Sequence, residues 1–264
     1  MVPVIVLTVT GVLMAFAIGI IVKYFGAKPD PKAEAIAPLM PGANCGGCGF
    51  AGCNDYMNAL LCGKAKPGHC PSMSAENVKK LAAILGEEAD EVEPMMAVVL
   101  CSGDDGVATK NAMYNGVNDC RNALLVAGAS KSCSYGCLGM GTCARACPHG
   151  AIEITEKRLA KVHPELCVGC GKCISACPRG IVKLVPRTLE VAVFCSSPLA
   201  GKIKMKQCKA ACIGCHKCGK AAQPGQMTFN GFLASVCLEN PPNAETAEKA
   251  ACPTHCFRKI DPAN

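Results

Sequence analysis

The sequence has no tryptophan and only four tyrosines and seven phenylalanines among its 264 residues, so it lacks the large side chains around which a deep core is usually built. Small modules this poor in bulk cannot bury enough apolar area to offset chain entropy, and they take their order from crosslinks or metals. Charge is missing from residues 2 to 22, VPVIVLTVTGVLMAFAIGIIV, an apolar run about the length a helix needs to cross a bilayer. Also missing are the H-E-x-x-H pair of a zinc hydrolase and the strained turn that presents a nucleophilic serine. GCGFAG at 47 to 52 satisfies G-x-G-x-x-G, but no strand pattern precedes it and a cysteine interrupts it, which rules against a dinucleotide site. These absences leave a chain expected to do no bond chemistry by itself.

What is abundant is sulfur, with 23 cysteines. No Lys or Arg precedes the apolar run, whereas Lys23, Lys28 and Lys32 follow it. The positive-inside rule then predicts a single-pass protein of the inner (cytoplasmic) membrane, its soluble part in the cytoplasm. A cleaved signal peptide is the competing reading, with AFA at 15 to 17 as its one hint of a cleavage site. Cytoplasmic thiols stay reduced, so metal binding rather than a disulfide framework accounts for the cysteines. The pattern predicts an α+β chain: a transmembrane anchor over 1–25, a linker over 26–44 with four prolines, a small four-cysteine iron–sulfur domain over 45–95, a two-cluster ferredoxin-like domain over 96–190, and a degenerate ferredoxin-like domain over 191–264.

Cys45, Cys48, Cys53 and Cys70 are spaced C-x2-C-x4-C-x16-C. Glycines let three thiolates converge on one small object, and the fourth arrives from beyond a short helix expected near 51–62. Ser74 is placed to cap a further helix ending at Leu85, with Val78, Leu81, Ala82 and Leu85 on one face and Gly86 as its stop. Farther on, ACPHGAIEI at 146–154 and ACPRGIVKL at 176–184 repeat one motif, a Cys-Pro followed by a β-like run. CVGCGKCISACP, Cys167 to Pro178, is the ferredoxin run in which three thiolates bind one cubane and the fourth binds the other. By that rule Cys133, Cys137, Cys143 and Cys177 hold one 4Fe-4S cluster, and Cys167, Cys170, Cys173 and Cys147 the second. The first half departs from simple spacing, as C-x3-C-x5-C-x3-C-P. Zinc is the alternative metal, since paired C-x2-C motifs also close zinc tetrahedra.

A third module carries Cys212, Cys215 and Cys218, but Ala222 stands where the fourth cysteine belongs, while Cys252-Pro253 survives without its own triplet. The two losses match and leave one cluster, on Cys212, Cys215, Cys218 and Cys252, for about four in all. Cys62, Cys101, Cys120, Cys195, Cys208, Cys237 and Cys256 are left over, mostly as buried thiols packing like small hydrophobes. A fifth cluster on Cys195, Cys208, Cys237 and Cys256 is left out of that count. The formal charge of +7 treats cysteine as neutral; at about −2 per cluster with its four thiolates, four clusters bring the loaded chain near neutrality and remove the main argument for nucleic-acid binding. Residues 76–93 are acidic, and KIKMKQCK at 202–209 is the densest basic run, read as a solvated hairpin edge or a docking face for an acidic electron carrier.

The apolar N-terminal run, NCGGCGFAGC with Cys70, SCSYGCLGMGTCARACPHGAI and CVGCGKCISACPRGI together resemble the B subunit of the Rnf complex, an ion-translocating oxidoreductase. The resemblance extends in order along essentially the whole chain and departs at Ala222 and after Phe229. It implies a translocase coupling electron transfer between ferredoxin and NAD to Na⁺ or H⁺ movement, in which this component is the membrane-anchored, multi-cluster electron-transfer part. Implied partners are the other Rnf-type membrane and flavin subunits and soluble ferredoxin. The alternatives are a membrane-tethered polyferredoxin serving another oxidoreductase and a zinc-bound structural protein. A single helix without ionisable groups offers no ion path, which must belong to other subunits.

Overall fold

The computed structural model describes residues 2–25, 30–87, 93–126 and 128–260. Helix α1, Val2–Phe25, takes in the charge-free run 2–22 and continues past Lys23. Its side chains are described over 3–4 and 6–21, all exposed. Among the described residues no helix is long and apolar enough to cross a membrane.

Helix α2, Pro31–Ile36, starts where Asp30 accepts the Lys32 N–H (2.9 Å) and Pro31 supplies a ready helical φ. A 3₁₀ turn, Ala37–Leu39, follows. The expected linker is therefore helical over much of its length: Ile36 is fully buried with Tyr56, Leu60 and Leu81 in the core of the four-cysteine domain, because one apolar side chain in a helical turn gains more from that core than from solvent. The linker's residues 26–29 and part of the acidic stretch, 88–92, lie outside the described residues. Helix α3, Cys53–Leu61, and helix α4, Ala75–Leu85, follow the expectation. Ser74 Oγ accepts the Asn77 N–H (3.3 Å), and Gly86 ends α4 at φ 75°.

The middle of the chain folds as two copies of a loop, a short helix and a strand. Strand β1, Met95–Val99, pairs antiparallel with β4, Val182–Pro186, and β2, Ile152–Ile154, with β3, Ala160–Val162. Both Cys-Pro motifs thus run into strands, as their β-like sequences predict. Helices α5, Cys120–Leu125, α6, Thr142–Arg145, and α7, Lys172–Ala176, are short because cysteines must leave them to face a common centre. Gly141 and Gly171 start α6 and α7 at φ near 75°, where a side chain is disfavoured.

In the C-terminal part β5, Val191–Val193, pairs with β8, Phe257–Lys259, and β6, Met227–Asn230, with β7, Leu233–Val236, around α8, Gly201–Gln207, α9, Lys217–Ala221, and α10, Ala244–Ala250. The basic run at 202–209 is helical through Gln207, within α8, and not a hairpin edge. Its Lys204 is buried, donating to Ser197 O (3.1 Å) and Phe232 O (2.8 Å), so that lysine is a structural tie and not part of a solvated face. The end of α8 is tied to the middle of the chain: Thr109 N–H donates to Gln207 O (2.8 Å), Lys209 N–H to Val107 O (3.0 Å), and Ser196 Oγ to Leu100 O (2.8 Å).

Candidate cluster-binding sites

In the N-terminal domain, Asn44 Oδ1 accepts the Cys53 N–H (2.8 Å), standing in for the side-chain cap that Gly52 cannot supply and holding the CGGC loop against the start of α3. Cys45 and Cys70 are buried, Cys48 and Cys53 half-buried. Burial pushes the Cys70 thiol up, and the charges of Cys48, Cys45 and Cys53 add to the rise. Cys70 and Cys48 pack in the same core. Tyr56, fully buried against them, donates its hydroxyl to Lys66 O (2.9 Å), and burial followed by the Cys70 and Cys48 charges raises it to about 12.

Cys147, Cys167, Cys170 and Cys173 line one cavity of about 10 Å³. Cys173 is raised to about 11 by burial and then by Cys167, Cys170 and Cys147. Two backbone amides already point at sulfur there, Ala97 N–H to Cys167 Sγ (3.3 Å) and Ala151 N–H to Cys147 Sγ (3.4 Å).

The partner cavity, about 20 Å³, is lined by Cys137, Cys143, Cys177 and Cys120. Here the geometry differs from the spacing rule, which puts Cys133 in this set. Cys143 is raised to about 12 by burial, then by Cys137, Cys120 and Cys177, whereas Cys133 faces Gly136 on the side of Cys101. The enlarged loop carries Cys133 away, and α5 delivers Cys120 in its place. The Cys120 N–H donates to Thr142 Oγ (2.7 Å), and that hydroxyl donates to Asp119 Oδ2 (2.9 Å), which locks α5 to the helix bearing Cys143.

In the C-terminal part Cys212, Cys218 and Cys252 pack in one core while Cys215 is exposed, and Cys218 is raised to about 11 by burial and then by Cys212, Cys215 and Cys252. Cys256, buried and 3.7 Å from Cys252, hydrogen-bonds to Cys252 and Cys212; it lowers them to about 4 and about 5, and its own thiol is pushed up. Ala222 closes α9 with its N–H on Cys218 O (3.0 Å). Cys62 is exposed and Cys237 half-buried.

Burial and neighbouring thiols raise Cys70, Cys143, Cys173 and Cys218, one in each set, whereas hydrogen bonds with Cys256 lower Cys212 and Cys252. A cationic iron–sulfur core would hold cysteines set this closely in the deprotonated form. The donor sets are all sulfur, which suits iron–sulfur or zinc and excludes Mg²⁺ or Ca²⁺. Among the described residues, one group of three ligands has all its atoms within 4.8 Å, namely Cys45, His149 and Cys170. It joins one thiol from each of two sets, and it arises because Gly47 packs on Cys170: a Cβ on Gly47 would lie 3.0 Å from Cys170 Cα. The N-terminal and ferredoxin-like sets therefore meet sulfur to sulfur.

Comparison with known proteins agrees with the chemistry. The family described as 4Fe-4S dicluster domain matches residues 134–184, and the family described as Putative Fe-S cluster matches residues 40–72; both support 4Fe-4S clusters as the cofactor. The dicluster match holds seven cysteines, starting after Cys133. The chain is 40% identical over 227 residues, 84% of its length and 86% of the relative's, to the B subunit of the ion-translocating oxidoreductase complex of Methanosarcina acetivorans. It is 34% identical over 261 residues, 97% of the chain and 91% of the relative, to the B subunit of the proton-translocating ferredoxin:NAD(+) oxidoreductase complex of Clostridium ljungdahlii. To the B subunit of the Na(+)-translocating ferredoxin:NAD(+) oxidoreductase complex of Acetobacterium woodii it is 39% identical over 212 residues, covering 80% of the chain and 64% of the relative.

Proposed function

Since the chain belongs to the B-subunit family of ion-translocating (Rnf-type) oxidoreductase complexes, we propose that it is the iron–sulfur wire of such a complex, relaying electrons between soluble ferredoxin and NAD(H)-linked membrane and flavin subunits while the whole complex moves Na⁺ or H⁺. The observation that carries the reading is the contact of Cys45 with Cys170, which sets two four-cysteine sites side by side. Their clusters would exchange electrons one at a time. In this reading the ligand sets are Cys45, Cys48, Cys53 and Cys70; Cys147, Cys167, Cys170 and Cys173; Cys120, Cys137, Cys143 and Cys177, supported by their shared cavity; and Cys212, Cys215, Cys218 and Cys252.

Helix α1 is the membrane anchor in this reading. Its described apolar side chains, such as Leu7 at 72% and Phe16 at 70% exposure, face outward all round the helix, as lipid-facing side chains do. Its hydroxyls are satisfied inside the helix, Thr8 Oγ donating to Val4 O (3.0 Å) and Thr10 Oγ to Val6 O (2.9 Å), which is what hydrocarbon requires of a polar group. The soluble part then faces the cytoplasm.

The test is stopped-flow mixing of the anaerobically purified chain with reduced ferredoxin. Bleaching of the chain's iron–sulfur absorbance as ferredoxin reoxidises is the expected result. A colourless, zinc-loaded chain, or one that ferredoxin leaves oxidised, sinks the reading.

A further inference from the structure

Three of the cysteines left unassigned by spacing, and the one displaced from the ferredoxin-like pair, converge elsewhere. Cys101, Cys133, Cys195 and Cys208 line one cavity, together with Ser197 and Gln207. A Cβ on Gly103 would sit 3.4 Å from Cys208 Sγ and 3.5 Å from Cys101 Sγ; a Cβ on Gly136 would sit 3.5 Å from Cys133 Sγ and 3.7 Å from Cys101 Sγ. Two bare glycine faces thus press on three of the sulfurs. Cys195 closes the ring by lining the same cavity. The Gly103 and Cys137 N–H groups both donate to Cys101 Sγ at 3.3 Å, the same amide-to-sulfur device found at Cys167 and Cys147.

Two buried lysines lie at this cavity, both donating to backbone carbonyls and Lys131 also paired with Asp105. Lys131 and Lys204, 6% and 1% exposed, both line this cavity. Ser197, 2% exposed, has a hydroxyl oxygen without a partner, and so does the Gln207 Oε1. A buried hydroxyl of this kind needs an acceptor, and four cysteines line the same cavity.

From this convergence we propose that Cys101, Cys133, Cys195 and Cys208 bind a further 4Fe-4S cluster, lying between the Cys120 set and the Cys212 set and joining them into one continuous chain of five. Cluster rather than zinc follows from size. Zinc draws four sulfurs to about 2.3 Å from one ion, yet no three of these sulfurs lie within 4.8 Å of one another. They surround a cavity of about 30 Å³, larger than those of about 10 and 20 Å³ at the two ferredoxin-like sites. Its neighbours are adjacent on both sides: Cys137 N–H bonds to Cys101, and the backbone of Cys212 to Cys195. Spacing missed the site because its ligands are spread over more than a hundred residues; the signal was the tie between α8 and the loop at 107–109, which the sequence does not display.

The inference rests on the neighbouring sets holding clusters, and iron counting separates the two. The full chain, purified anaerobically in detergent, is analysed for iron, sulfide and zinc. About twenty irons per chain with matching sulfide is the expected result, whereas about sixteen overturns the fifth site alone and an iron-free chain overturns the wire as well. Cys133→Ala and Cys208→Ala should each remove about four irons, and the double variant no more than either, while Cys120→Ala should remove a different four that add to the Cys208→Ala loss. Losses that add between Cys133→Ala and Cys208→Ala, or a zinc released by Cys208→Ala, overturn it. Should the alanine variants precipitate, the wild-type count still decides.

Discussion

The Thr142 hydroxyl accepts from the Cys120 amide and donates to Asp119 Oδ2, so one small side chain determines that Cys120, from a separate helix, reaches the set containing Cys143. Thr142→Val keeps the shape and removes both bonds. At roughly 1.4 kcal/mol for such a loss, iron from one cluster should leave about tenfold faster to a chelator, with the initial iron count unchanged. Glycine positions divide on the same scale. Gly169 sits at φ +73° with a Cβ position 2.7 Å from Met95 O, whereas Gly150, at φ +62°, has nothing within 4 Å. Gly150→Ala should cost about 1–2 kcal/mol for left-handed backbone alone; Gly169→Ala adds a clash with β1 and should cost clearly more, read as a larger drop in thermal midpoint.

At the scale of elements, the three short helices α6, α7 and α9 repeat one device: a left-handed residue, then a turn of helix that carries the last thiol of a triplet. Gly141 and Gly171 take that place twice; in the third copy it is His216, at φ 58° with its ring 4.3 Å from Phe229. Helix α2 is the element whose role composition disguised, for four prolines suggested a semi-extended linker. Because Ile36 is fully buried, Ile36→Ala should destabilise the four-cysteine domain by about 2–5 kcal/mol, and hydrogen exchange over 31–39 should rise with it. A free tether would leave both unchanged. The α4 helix was legible throughout: its cap, buried face and glycine stop are all local signals, and Ser74→Ala should cost about 1 kcal/mol.

For the whole molecule, iron is the organising element. The cores contain cysteines beside small aliphatics, and a fold with so little aromatic bulk depends on bound metal for its stability. Stripping iron with chelator and reductant should therefore abolish the cooperative thermal transition rather than merely lower it, checked by calorimetry of the loaded and stripped chains. Deleting residues 1–25 should move the protein from the membrane to the soluble fraction with its iron intact, which tests α1 as anchor apart from the clusters. Five clusters at about −2 each would also carry the chain from a formal +7 to slightly negative, so steering of acidic partners must come from local lysines rather than net charge.

The sequence by itself determined what is local: the charge-free run, the cofactor class, the Cys-Pro repeat with its strands, the capped helix α4, and each triplet of closely spaced thiols. These follow from spacing because a short loop can wrap only one small object. Tertiary structure alone decided which distant thiols meet. Cys120 rather than Cys133 beside Cys137, Cys143 and Cys177, the contact of Cys45 with Cys170, and the convergence of Cys101, Cys133, Cys195 and Cys208 all depend on α5, the Gly47 approach and the docking of α8. Those meetings are set by packing and hydrogen bonds between segments far apart in the chain, and no spacing rule encodes them.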